Sequence, residues 1–296
     1  MSNLKLFAKA VGTTARQGRL ALRLWAINLL FSLLVAAPFA AAIQGQAAHS
    51  LAADSLRARM DVDWLTDLGT RFQGAAPLAL GLLLAALLLY LLLAAFLNGG
   101  IIGGLLRSGA RPTPAEFFHD CGLYFWRFLR LLLLSIPLYL LIAGALHGLV
   151  AGLLKALTRQ AATEWPLVVA GVLRLLALVL LLGIVSMFLD YVKIGLAAGN
   201  RRSVLRETWR TLKLVLRRFF KAWGLYLLAG LAFVALTLLY LEVARLLPAG
   251  TPLLLLAVFV WQQLFVLGRQ FSKVLFFASE IELYKDLEAR PQLSDK

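Results

Sequence analysis

The 296-residue chain is 61% hydrophobic and 15% charged, with a mean hydropathy of +0.83. A soluble domain holds roughly 45–50% apolar residues, and here they fall in long uninterrupted runs, which excludes a soluble core of this size. The net charge of +15 would suit nucleic acid if it were clustered on one soluble face, but its distribution follows a membrane topology instead.

A bilayer core of about 30 Å takes about 20 apolar helical residues. After a basic N-terminal stretch the first such run is Leu24–Ile43. Basic residues, an apolar run and the small residues Ala40–Ala42 also resemble a secretory signal, but the basic region is too long for one, so a span is expected. Gln44–Gly74 is then an outer loop, in which Asp54, Asp61, Asp63, Asp67, Arg57 and Arg59 stand at roughly helical spacing and suggest a short amphipathic helix. Ala75–Leu97 returns and ends near Gly99, Gly100, Gly103 and Gly104, two overlapping Gly-x-x-x-Gly pairs. Close helix packing is their expected use, with a hinge or a homodimer face as alternatives.

Thr113-Pro114-Ala115-Glu116 reads as a capping box with proline at the first helical position. It opens an aromatic-rich helix that leads to the span Leu129–Val150, and Pro166–Leu189 returns. In the next connection Arg206, Arg210, Lys213 and Arg217 share one helical face, while Leu205, Trp209, Leu212, Leu216 and Phe219 share the other. That pattern fits an interfacial helix facing anionic headgroups, or a helix packed on the floor of the bundle. Ala222–Leu241 and Thr251–Leu267 complete six spans; the last extends to Ala278 if Arg269 and Lys273 snorkel or face protein, leaving 279–296 as a tail.

With both ends inside, the inner segments carry twenty-three of the 30 Lys and Arg and the outer segments six, with Arg174 inside a span. Short cytoplasmic loops carry such an excess. The expectation is a bacterial cytoplasmic (inner) membrane protein with both termini cytoplasmic and its basic face toward anionic lipids. Membrane lipids, with a protein partner or a second copy as further possibilities, are the expected partners; nucleic acid is not.

The spacing aromatic, eight residues, basic, two residues, basic recurs before each outward span, as Phe7, Arg16, Arg19; Phe118, Arg127, Arg130; and Trp209, Arg218, Lys221. Phe96-Leu97-Asn98 with Ile102-Gly103 matches Phe188-Leu189-Asp190 with Ile194-Gly195, and Glu116 corresponds to Glu207. The expected fold is therefore an all-α membrane helix bundle in one domain, 1–296. Its three repeated units, about 1–97, 105–189 and 200–278, each combine a cytoplasmic amphipathic helix with two spans.

Phe188-Leu189-Asp190-Tyr191-Val192-Lys193-Ile194, then Asn200-Arg201-Arg202-Ser203, together with Glu116 through Phe128, resemble an uncharacterised family of bacterial six-span membrane proteins. In plan the chain is also similar to the membrane domain attached to some glycerophosphodiester phosphodiesterases. The shared motifs are topological, and the resemblance implies no activity.

A charged group inside a span is by default a functional-site hypothesis. Arg174 lies about 12 Å from the outer end of its span and Glu242 about 9 Å from the same side, at 1.5 Å per residue. Gln262, Gln263 and His147 complete a polar patch at similar depth. The patch is a site for an anionic headgroup, a small solute or a partner helix; an Arg174–Glu242 pair that fixes packing, or snorkelling of Arg174, are the structural readings. Asn98 and Asp190 are expected to cap inner helix ends, with no further carboxylate beside them in sequence to support ion coordination.

No phosphate-binding loop and no His-Glu-x-x-His pattern occurs, and His49, His119 and His147 are scattered. No catalytic residue, metal or cofactor is expected, and an enzyme is the less favoured class. A non-enzymatic module that binds lipid or a partner protein, as part of a transport or envelope-maintenance complex, leads. A transporter of a small or lipid-like anionic solute and a lipid-modifying enzyme follow. Orientation is testable with reporters: green fluorescent protein joined after Lys296 should fluoresce, and alkaline phosphatase inserted within 44–74 should be active. The opposite pattern would reverse the topology.

Overall fold

In lipid a backbone N–H or C=O finds no water, so a spanning segment must satisfy its hydrogen bonds within its own helix. The computed structural model describes residues 2–47, 76–107, 112–158, 165–199, 203–247 and 251–289, and among them every regular element is helical. In chain order these are α1 (Asn3–Arg16), α2 (Gly18–Ala47), α3 (Ala76–Leu106) and α4 (Pro114–Leu141). A π-helical turn (Ile142–Leu146) leads to α5 (His147–Thr158), then α6 (Trp165–Ala198), α7 (Val204–Leu216), α8 (Phe219–Leu246) and α9 (Pro252–Ala289). Six helical stretches are long and apolar enough to cross a membrane: α2, α3, α4 through α5, α6, α8 and α9. The chain is a multi-pass membrane protein. The helix expected within the outer loop lies, beyond Ala47, outside the described residues.

The helices run past the spans that hydropathy marks. With 34 and 38 residues, α6 and α9 are about 51 and 57 Å long at 1.5 Å per residue, well beyond a core of about 30 Å. The aromatic stretch after Thr113 is not a separate helix either, because α4 continues from it into the span. Its start follows the capping box: Thr113 N donates to Glu116 Oε2 at 2.7 Å, and Glu116 N donates to Thr113 Oγ1 at 3.3 Å. Pro137 lies inside α4 and removes one backbone donor shortly before the π turn. Two other junctions do break. Gln17 separates α1 from α2, and Arg217-Arg218 separate α7 from α8.

The chain gathers into two compact units, one of 1–17, 95–232 and 273–296, the other of 18–94 and 233–272. In the first, Leu6, Ile101, Phe117, Phe128, Met187, Tyr191, Val215, Leu225 and Leu283 are all buried. The sequence from Ser279, read above as a tail, is here the end of α9 through Ala289, with Ile281, Leu283, Tyr284 and Leu287 buried. Glu280, Glu282, Lys285 and Asp286 depress its hydropathy and hide that apolar stripe. Its acids hold other helices: Lys9 of α1 reaches Glu282 at 2.6 Å, Lys221 of α8 reaches Asp286 at 2.8 Å, and Arg210 of α7 reaches Glu288 at 3.2 Å.

The glycines at the end of α3 face the first turns of α4. A Cβ on Gly99 would stand 2.9 Å from the Asp120 carbonyl oxygen. One on Gly100 would overlap the Phe117 ring and the Cys121 sulfur, and one on Gly103 would overlap the Asp120 carboxylate. A Cβ on Gly104 would meet Pro112 at 3.1 Å. On α6, Gly195 stands in the same relation to α7: a Cβ there would lie 2.6 Å from Glu207 Oε1 and 3.0 Å from Thr211 Oγ1. These glycines are required for volume, since helical φ suits any residue.

In the second unit Tyr240 stacks on Phe265 with centroids 4.3 Å apart, and the Trp261 indole donates to the Tyr240 carbonyl at 3.2 Å. Gly268 admits Leu236, whose nearest carbon is 3.0 Å from the Cβ position. Leu80, Leu83, Leu88, Leu239 and Leu256 are exposed, as lipid-facing side chains of spans should be. Replacing Gly100 by Leu should lower stability by about 1–3 kcal/mol or more through overpacking, whereas Gly81→Ala, where nothing lies within 4 Å of the Cβ position, should not. Thermal unfolding of the two variants in one detergent measures the difference.

Candidate functional site

In the second unit α2, α3 and α9 enclose a cleft of about 470 Å³, lined by Asn28, Ser32, Tyr90, Gln263, Arg269 and Gln270 among apolar residues that include Phe31, Val35 and Val266. Helix periodicity explains the set: Asn28, Ser32 and Val35 recur at spacings of three and four on α2, as do Gln263, Val266 and Gln270 on α9. Asn28 Nδ2 donates to the Leu24 carbonyl at 2.7 Å, and Ser32 Oγ donates to the Leu29 carbonyl at 2.8 Å, so both spend their donors on their own helix. Gln263 Oε1 accepts from the Trp25 indole at 3.1 Å, which turns its amide N–H₂ into the available group. Arg269, Gln270 and Tyr90 make no hydrogen bond or ion pair among the described residues. The cleft is therefore rich in donors and carries one unpaired cation. An unsatisfied donor in an apolar medium costs several kcal/mol, so such a wall favours a ligand that brings acceptors and negative charge.

A second polar cluster lies in the first unit. On α6 the Lys193 ammonium donates to Asp190 Oδ1 at 2.7 Å and stands 5.9 Å from the centre of the Phe277 ring of α9. One turn earlier the hydroxyls of Tyr139 on α4 and Ser186 on α6 are 3.1 Å apart. Glu280 of α9 is 1% exposed, and neither carboxylate oxygen has a hydrogen-bond partner. Its electrostatic neighbours are Asp190 and Lys193. A carboxylate does therefore stand near Asp190, ninety residues further along the chain. Sequence reasoning missed Glu280 because it fell in the supposed tail; the signal was its place in the stripe of Ile281, Tyr284 and Leu287, whose spacing marks a buried helical face.

The residues singled out from sequence fall as follows. Arg174 of α6 is exposed, and its Nε donates to His147 Nε2 at 2.8 Å. Glu242 accepts from Arg245, one turn along its own helix, at 3.4 Å, with both side chains mostly exposed. Gln262 is exposed on α9, and Gln263 enters the cleft. Thus Arg174 and His147 meet, and Gln263 meets Trp25. On α7 the basic residues Arg206, Arg210 and Lys213 are exposed, as is Arg217 at its C-cap, and so are the apolar Leu205, Trp209 and Leu216; the buried face is Val204, Glu207, Thr211 and Val215. The Lys213 ammonium sits 4.9 Å from the centre of the Trp209 ring.

Among the described residues no group of three or more His, Cys, Asp or Glu side chains could hold a metal ion. The class these features define is a multi-pass helical membrane protein with a polar cleft and a buried charged cluster. No protein-family model matches the chain, and no curated protein or solved structure is similar to it. Replacing Lys193 by Met should leave the part-buried Asp190 without its hydrogen-bond donor and cost about 1–3 kcal/mol, while the surface substitution Lys285→Met should stay within about 0.5 kcal/mol. Urea unfolding of the protein in mixed micelles reads both.

Proposed function

We propose that this chain is a non-enzymatic module of the bacterial inner membrane whose cleft holds the headgroup of an anionic lipid. The observation that carries the reading is Arg269, a cation within a spanning helix that has no acidic partner among the described residues and lines a cleft of donors. Arg269 is 17 residues beyond Pro252, about 25 Å along the helix, which fits the headgroup level of one leaflet. Phosphate oxygens there would accept from Arg269, Gln270 and Tyr90, and the acyl chains would lie along Phe31, Val35 and Val266.

The placement of charge supports the same reading. On α7 the apolar residues Leu205 (70% exposed) and Trp209 (61% exposed) and the four cations all lack cover, the pattern of a helix lying in a membrane interface with its basic side at the headgroups. With the excess of Lys and Arg on that side, both termini are cytoplasmic. The packing of Gly103 against Asp120 and of Gly195 against Thr211 supports units that repeat, since in each a returning helix uses a glycine to admit a polar side chain of the helix that follows it, 17 and 16 residues on.

Arg269→Gln should weaken binding of phosphatidylglycerol at least about tenfold, about 1.4 kcal/mol, and leave phosphatidylcholine binding unchanged. Native mass spectrometry of the purified protein with added lipid reads both. Equal phosphatidylglycerol retention by the two proteins would remove the cleft from the function.

A further inference from the structure

We infer that Asp190, Lys193 and Glu280 form a binding site for one unit of positive charge, an alkali cation or a proton. The site lies within the first unit and does not depend on the lipid reading. Its starting point is the Glu280 carboxyl, 1% exposed and with both oxygens unpartnered. Removing a carboxylate from water costs several kcal/mol unless a partner compensates. The Lys193 ammonium compensates it only in part, because it makes its hydrogen bond to Asp190, at 2.7 Å. Two carboxylates and one ammonium leave the cluster one negative charge in excess.

A second group points to the same place. The Tyr191 hydroxyl is fully buried, has no hydrogen-bond partner, and has Glu280 and Asp190 as its charged neighbours. Tyr139 on α4 and Tyr226 on α8 also face the cluster, and neither adds a cation. Carboxylate and phenol oxygens are hard donors, suited to sodium rather than to a soft transition metal. A divalent ion would overshoot the charge, and the burial of both Glu280 and Tyr191 limits the ligand to a single ion. The bound charge neutralises Glu280 and gives the Tyr191 hydroxyl an acceptor or an ion to face.

The full-length protein and its E280Q variant in a neutral detergent provide the test. In the alkali arm, the thermal midpoint of the wild type rises by several degrees as sodium chloride replaces choline chloride at constant ionic strength, and that of E280Q does not. In the proton arm, neither protein responds to sodium, but the infrared spectrum at neutral pH shows the carbonyl stretch of a protonated carboxylic acid that E280Q lacks. Either result supports the site; wild type and E280Q alike in both measurements overturn it. If E280Q does not fold, the wild type decides alone: sodium-23 line broadening relieved by lithium, or the carboxylic acid band, supports the site, and absence of both refutes it.

Discussion

Near the end of α9, Glu282, Asp286 and Glu288 take cations from α1, α8 and α7, within a stretch whose alternate side chains, Ile281, Leu283 and Leu287, are buried. Ion pairs that keep contact with water are worth about 0–1 kcal/mol each, so the apolar stripe supplies most of the stability and the charges specify which helix lies where. Three elements distant in sequence find one register through this stretch. On α1 Leu6 and Ala10 are buried in the core of the first unit while Lys9 pairs with α9, and Asn3 of the same helix donates to the Lys221 carbonyl at 3.2 Å.

Where two helices must approach closely, a glycine receives a polar side chain or a ring. Gly103 receives the Asp120 carboxylate, whose Oδ1 is bound by Arg107. Gly195 receives Glu207 and Thr211, and the Thr211 hydroxyl donates to Glu207 Oε1 at 3.4 Å. Without a strong hydrophobic drive between helices in lipid, such close packing and hydrogen bonding carry association. The dense core and the lipid-facing leucines thus follow different rules. One is specified residue by residue; the other only needs to be apolar.

The six spans were legible because lipid imposes a length and a composition that a run such as Ala75–Leu97 cannot disguise. The capping box at Thr113 was legible for a local reason, since all its atoms lie within four residues. Helix ends were not: hydropathy stops where lipid stops, but the hydrogen-bond ladder of α9 continues to Ala289. The polar residues illustrate the same divide. His147 and Arg174, assigned to one patch by depth, do meet at 2.8 Å, but depth along a helix leaves its rotation open, and Glu242 turns to Arg245 one turn away on its own helix. Asp190 and Glu280 share surroundings through tertiary packing alone, which no spacing rule reaches.

The interface of α3 and α4 closes over Cys121, the single cysteine of the chain, which is fully buried beneath Gly100. A thiol so placed reacts with an alkylating reagent only when the two helices part, so its rate of modification measures the free energy of that local opening. The native sequence thus contains a built-in probe of its own breathing, at the joint where a returning span meets the start of the next unit.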